Sequence, residues 1–197
     1  MKCAVQNMMW VLVAAMASMV AAPAQAALTN ADFETGDLTA WSFFGDSVTV
    51  TNVDPYAGAY HADLSADDSD PNYAGMYQDQ TASAGQLWEA TIYARLVSSP
   101  GGNAMIRLKL ECITGSGTVQ LDDALLQIVS GSYVKLIASG VTPATTTAVR
   151  ITPVVELNGE VGAIEGYFDN ATLTFIPEPA SMTLLAPAAL VLIRRRR

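Results

Sequence analysis

The sequence predicts an all-β protein, a β-sandwich flanked by an N-terminal signal helix and a short C-terminal hydrophobic helix. Three observations lead there. Between the two ends, apolar residues recur at every second position over several short stretches, the period of a half-buried strand. Clusters of Gly, Pro, Asn, Asp and Ser separate those stretches, where turns need them. No stretch between the ends carries an apolar stripe at the helical period of about 3.6 residues. Many short strands between turns are the pattern of two packed sheets.

The chain opens with one positive charge, Met1-Lys2, followed by an apolar run from Met8 to Ala22 and a small-x-small site, Ala24-Gln25-Ala26. That order is a secretory signal peptide over 1–26, cleaved after Ala26 and excluded from the fold. Cys3 precedes the apolar run, so it is no lipoprotein acylation site. The sandwich domain is assigned to 27–176, a usual size for one domain.

Within it the strands read in order as 28–34, 41–44, 47–53, 61–66, 74–81, 87–96, 104–113, 133–139, 149–157 and 167–176. From Leu87 to Leu96, Trp88, Ala90, Ile92, Ala94 and Leu96 share one face. From Ala104 to Ile113, Arg107, Lys109 and Glu111 point outward and Cys112 joins the apolar side. Val149, Ile151, Val155 and Leu157 oppose Arg150, Thr152 and Glu156. The turns fall at Thr35-Gly36-Asp37, Asp54-Pro55-Tyr56-Ala57-Gly58, Ser99-Pro100-Gly101-Gly102-Asn103, Gly115-Ser116-Gly117 and Asn158-Gly159. Leu121 to Val129 fits neither period cleanly and is read as room for a helical turn.

The last residues, 177–197, form a three-part tail. Pro177-Glu178-Pro179 leads into an uncharged apolar run from Ala180 to Ile193, and the chain stops at Arg194-Arg195-Arg196-Arg197. The run is shorter than the roughly 20 apolar residues of a spanning helix, with about 17 at the low end, and Pro187 interrupts it. It suits a halted segment whose arginines stay cytoplasmic by the positive-inside bias. The tail resembles the PEP-CTERM sorting signal of Gram-negative bacteria. That resemblance implies an exosortase-type protease and the secretion machinery as partners, membrane contact before processing, and a mature form at the cell surface or outside it. A simple membrane tail is the alternative, but it leaves Pro-Glu-Pro unexplained.

With both ends removed, five bases (Arg95, Arg107, Lys109, Lys135, Arg150) face eighteen acids. So acidic a domain repels phosphate backbones, which argues against nucleic acid as a partner. Cys112 is alone once Cys3 leaves, so no intramolecular disulfide forms in spite of an oxidising destination.

A second resemblance spans nearly the whole domain. Asn30-Ala31-Asp32-Phe33-Glu34-Thr35-Gly36-Asp37-Leu38-Thr39-Ala40-Trp41 resembles the opening of family 4/9 carbohydrate-binding modules and related galactose-binding-like jelly rolls. Ala57-Gly58-Ala59-Tyr60 with Ala62 and Leu64, then Gly85-Gln86-Leu87-Trp88, then Tyr167-Phe168-Asp169-Asn170-Ala171-Thr172-Leu173 follow in that family's order. The resemblance implies an eight-to-ten-stranded jelly roll, often with structural Ca2+ and sometimes with a glycan site. It places Glu34 and Asp169 at the ion. Asp169 also shares parity with the apolar Tyr167, Leu173 and Phe175, and a carboxylate turned inward needs compensation. Carbonyls of Thr35-Gly36-Asp37 could help complete an oxygen cage. The other reading is that both acids cap turns or pair with bases.

A sugar site needs an aromatic platform with amides and carboxylates for hydroxyls. Tyr56, Tyr73, Tyr77, Asp68 and Asn72 supply those types within one segment, and an extracellular polysaccharide is the ligand they suit. Phe33, Trp41 and Trp88 are assigned to the core, and Asp67-Asp68-Ser69-Asp70 to a solvated loop. His61, the only histidine, is read as an ordinary surface residue. One histidine and no Gly-x-Ser-x-Gly elbow leave little for a nucleophilic enzyme, and the count excludes a zinc site of several His or Cys ligands. The expectation is an exported, non-catalytic protein of the envelope or extracellular matrix that binds carbohydrate. Its alternatives are a structural matrix protein without a ligand and a small glycan-cleaving enzyme.

Overall fold

The computed structural model describes residues 27–177. The signal segment and the tail beyond Pro177, with Ala26, Glu178, Pro179, Arg194 and Arg195, lie outside the described residues.

Ten strands form: β1 Ser42–Gly45, β2 Ser47–Thr51, β3 His61–Asp67, β4 Tyr73–Thr81, β5 Leu87–Ser98, β6 Met105–Thr114, β7 Gly117–Leu126, β8 Val134–Val141, β9 Thr146–Glu156 and β10 Ala163–Ile176. They make two five-stranded sheets, β1-β4-β9-β6-β7 (sheet A) and β2-β3-β10-β5-β8 (sheet B), and every pairing is antiparallel. Successive strands mostly cross from one sheet to the other, the wiring of a jelly roll. Among the described residues there is no helix.

Period-two alternation fixes which face is which. On β5, Trp88, Ala90, Ile92, Ala94 and Leu96 are buried, and Ile106, Leu108, Leu110 and Cys112 of β6 meet them from sheet A. Phe33, Trp41 and Phe168 complete the core.

Two stretches depart from the expected pattern. Residues 28–34 form turns, not a strand. Asn30 (φ 49°) and Phe33 (φ 58°) adopt the left-handed conformation, which an extended strand excludes. This segment's hydrogen bonds close local backbone turns, Phe33 N–H to the Asn30 carbonyl and Gly36 N–H to the Phe33 carbonyl, reach across to the Ala171 amide from the Ala31 carbonyl, and otherwise involve side chains. Gln78 grips Thr29 on both sides (2.7 and 3.0 Å), and Asn30 accepts from the Thr35 amide at 3.2 Å. Phe33 thereby turns into the core against Trp41, with ring centroids 5.4 Å apart. Leu121–Leu126 belongs to β7, not to a helical turn. A register shift between Leu110 and Glu111 of β6 falls along this pairing, so β7 lacks the clean alternation of an unbulged strand.

Candidate functional site: the outer face of sheet A

Alternate residues of β1, β4, β9 and β6 point away from the core and form one polar strip with an aromatic edge. Phe44 of β1 lies across from Gly75 of β4. A Cβ at Gly75 would collide with the Phe44 ring, so the glycine lets the ring lie flat on the backbone. Tyr73 and Tyr77 flank it, with centroids 6.0 and 6.3 Å away. Arg150 of β9 sets its guanidinium 3.7 Å from the Tyr77 centroid. Asp79, its cross-strand partner, holds it in a fork, Nε to Oδ1 at 2.6 Å and Nη2 to Oδ2 at 2.9 Å. Such bidentate pairs fix orientation as well as charge.

The strip continues onto β6. Thr152 Oγ1 donates to Glu111 Oε2 at 2.6 Å, Lys109 pairs with Glu156, and Arg107 Nε lies 3.4 Å from Asp123 and 3.6 Å from Glu156. Phe44, Tyr77, Lys109, Glu111, Thr118, Arg150 and Thr152 line a shallow depression of about 240 Å³. That is smaller than the roughly 300–1,000 Å³ of an enclosing small-molecule pocket. It suits a few groups of an extended ligand lying across the sheet. Three of the domain's five bases stand here, each beside a carboxylate. The face is therefore rich in hydrogen-bonding groups and carries little excess charge.

The residues singled out in the sequence fall in three places. Tyr73 and Tyr77 join this strip. Asp68 and Asn72 lie in the exposed β3–β4 connection at one end of the sandwich. Tyr56 lies on the other sheet, stacked on Tyr93 of β5 with centroids 3.8 Å apart and planes 12° from parallel. Phe44, Asp79, Lys109, Glu111, Arg150 and Thr152 were not picked out as site residues. Their signal was present, since the alternation already turned Lys109, Glu111, Arg150 and Thr152 outward. What was missing is which strands lie side by side.

Glu34 and Asp169 do come together, on the loop between β2 and β3. Glu34 accepts from the Ala59 amide (2.8 and 3.0 Å) and from the Tyr60 amide (3.0 Å), and its carboxylate presses on Gly58, whose φ of 67° and lack of Cβ make room. Asp169 accepts from Ala57 at 3.0 Å and Asn170 at 2.7 Å. It does not point into the core, as its parity with Leu173 suggested. The bulge between Asp169 and Thr172, with Asn170 at φ 50°, flips the alternation. Phe168 and Leu173 face inward, whereas Asp169 faces outward and is buried beneath the 54–60 loop. Burial raises its pKa above the usual carboxylate value, and the nearby Glu34 charge adds to this against the amide bonds that lower it.

Ca2+ takes six to eight oxygens. No group of three His, Cys, Asp or Glu donors gathers among the described residues, so backbone carbonyls would have to supply most ligands. The two carboxylates fit such an ion in charge, and each has about four acceptor positions, of which amides use only part.

His61 is a correction: it is fully buried, not a surface residue. It packs on Tyr167 with centroids 4.3 Å apart and planes tilted by 44°, and neither ring nitrogen has a hydrogen-bond partner. Burial, then Arg95, lowers its pKa to about 4. Asp63, two residues along the same strand, is raised to about 6 by burial and then by Glu165.

The fold is that of a carbohydrate-binding-module sandwich. A family 61 module in complex with β-1,4-galactotriose superposes with a TM-score of 0.57 at 20% identity, over 76% of this chain and 97% of that one. The CBM22-1 xylan-binding domain from Paenibacillus barcinonensis Xyn10C gives 0.60 at 18%, over 80% and 99%. In the CBM22-1-GH10 modules of Clostridium thermocellum xylanase 10B, complexed with xylohexaose, the chain matches at 14% identity and a TM-score of 0.56, with 78% of this chain covering 29% of that one. These likenesses establish the fold. The chain belongs to the CBM_4_9 family, described as carbohydrate binding domain, whose model matches residues 25–158. No curated protein matches it.

Proposed function

We propose that this is an exported, non-catalytic carbohydrate-binding protein that lays a neutral polysaccharide along the outer face of sheet A. The observation carrying this reading is the strip itself, an aromatic edge of Phe44, Tyr73 and Tyr77 beside Arg150, Thr152, Glu111 and Lys109. A sugar ring is apolar on its C–H faces and hydroxylated around its rim. An aromatic edge takes the face, and fixed polar groups take the hydroxyls. Because each base here already has a carboxylate beside it, an uncharged glycan gains hydrogen bonds without displacing a strong counter-charge. Arg150, gripped by Asp79, keeps Tyr77 in place, and such preorganisation lowers the ordering cost of binding.

Export through the signal peptide, release from the membrane by an exosortase-type protease acting near Pro177-Glu178-Pro179, and residence in the extracellular matrix complete the reading. It is supported by the order of motifs in the sequence. Structural Ca2+ at Glu34 and Asp169, with loop carbonyls, would lock the 54–60 loop and play no part in chemistry. The test is titration of the protein with soluble xylan and β-1,4-galactan, with Tyr77→Ala alongside. Binding weakened about tenfold or more in the variant is expected from loss of one aromatic contact and its neighbours. Equal affinity would move the site elsewhere.

A further inference from the structure

We propose a second glycan platform on the opposite side of the sandwich, on the outer face of sheet B, centred on Tyr56. It rests on the carbohydrate reading above but uses none of the sheet A residues. Tyr56 lies flat on Tyr93 at 3.8 Å, and Tyr133 stands beside it, tilted by 60° at 5.6 Å. The residue is nonetheless 41% exposed, so it is supported from one side without being buried. An aromatic ring held this way is a surface on which the C–H face of a sugar can stack.

Groups suited to hydroxyls surround it. Asp54 has an exposed carboxylate, 68% accessible, bonded to Arg95. Arg95 in turn lies 5.3 Å from the Tyr133 ring centroid, and its Nε is buried without a partner. Lys135 sits across from Tyr93 in the sheet. As on sheet A, acid and base are paired at Asp54–Arg95, which suits an uncharged ligand.

The loop carrying Tyr56 is held with unusual force for a surface connection. Asp54 stands at φ 60°, a conformation that a non-glycine residue adopts at a cost and that clusters at functional sites. The amides of residues 56 and 57 end on Asp169, and those of 59 and 60 on Glu34. The Tyr133 hydroxyl donates to the Asp54 carbonyl at 3.1 Å. A connection that merely joined β2 to β3 would not need a buried carboxylate to fix one partly exposed tyrosine. A loop that must present a rigid ring would, because rigidity removes the ordering cost of binding. The two platforms lie on outer faces of opposite sheets, so one molecule can hold two polysaccharide chains and link them.

The test is affinity electrophoresis of the whole protein in gels containing xylan or β-1,4-galactan, with Tyr56→Ala, Tyr77→Ala and the double variant, and with melting curves to confirm folding. Turbidity of the protein mixed with the retarding polymer reads cross-linking. We expect each single variant to keep partial retardation and lose turbidity, the double variant to run freely, and Tyr56→Phe to behave as wild type. Full loss in Tyr77→Ala with no effect of Tyr56→Ala overturns the second platform and leaves the first. Full loss in Tyr56→Ala with no effect of Tyr77→Ala does the reverse. A wild-type protein retarded by neither polymer nor any other glycan in a broad array overturns both.

Discussion

At the scale of single residues, buried His61 and half-buried Asp63 on β3 oppose each other in the pH dependence of stability. His61 titrates near 4 when folded, against 6.5 as a free side chain. Between those values the unfolded chain binds more protons, so its contribution to stability falls on acidification. Asp63 titrates near 6 against 3.8. The folded state then binds more protons between those values, and its contribution falls as pH rises. The two windows overlap and the slopes oppose, so from pH 4 to 6 the contributions of these two residues largely offset each other. Asp63→Asn should uncover the histidine, giving a Tm that drops on going from pH 6.5 to 4. His61→Gln should give the opposite slope. Melting curves across that range check it, and parallel profiles for the two variants would contradict it. Both tryptophans assigned to the core are buried, Trp88 on the alternating face of β5 and Trp41 just before β1, 1% and 5% exposed. Trp88→Ala and Trp41→Ala should each cost about 3–5 kcal/mol, a large share of the stability of a marginal domain. Chemical denaturation measures this.

At the scale of elements, alternation identified the long central strands and their inward faces, because a sheet buried on one side leaves no freedom to shift by one residue. It failed where the chain leaves extended geometry. Residues 28–34 are expected to extend as a strand, yet two left-handed residues fold them into turns that cap the core. The same effect at Asn170 put Asp169 on the outer face. Glu34 and Asp169 were legible as a pair, but their amide partners on the 57–60 loop depend on chain crossings that no spacing reveals. Chelator should lower Tm and added Ca2+ restore it. At free Ca2+ a hundredfold above Kd the stabilisation is about 2.7 kcal/mol, and 1 kcal/mol moves Tm by roughly 2–4 °C at this size. Asp169→Asn should abolish that response, and identical curves in chelator and millimolar Ca2+ would end the calcium reading.

At the scale of the whole molecule, two sheets present two differently equipped faces, and the sequence showed the residues of both without showing that they part. Tyr56, Tyr73 and Tyr77 sit within one short segment of chain but occupy opposite sides of the sandwich, because β3 and β4 belong to different sheets. The processing reading makes its own prediction: the intact mass of mature protein from cells with an exosortase should lack 1–26 and most of the segment after Pro179. A mass retaining Arg194 to Arg197 would contradict it. The central claim is that the outer face of sheet A binds carbohydrate, and the most direct measurement is a glycan array probed with wild type and Tyr77→Ala in parallel. Wild type is predicted to bind neutral polysaccharides, and the variant to lose a clear part of that signal while melting as wild type does. No glycan bound by wild type, or the same glycans bound equally by both, would contradict it.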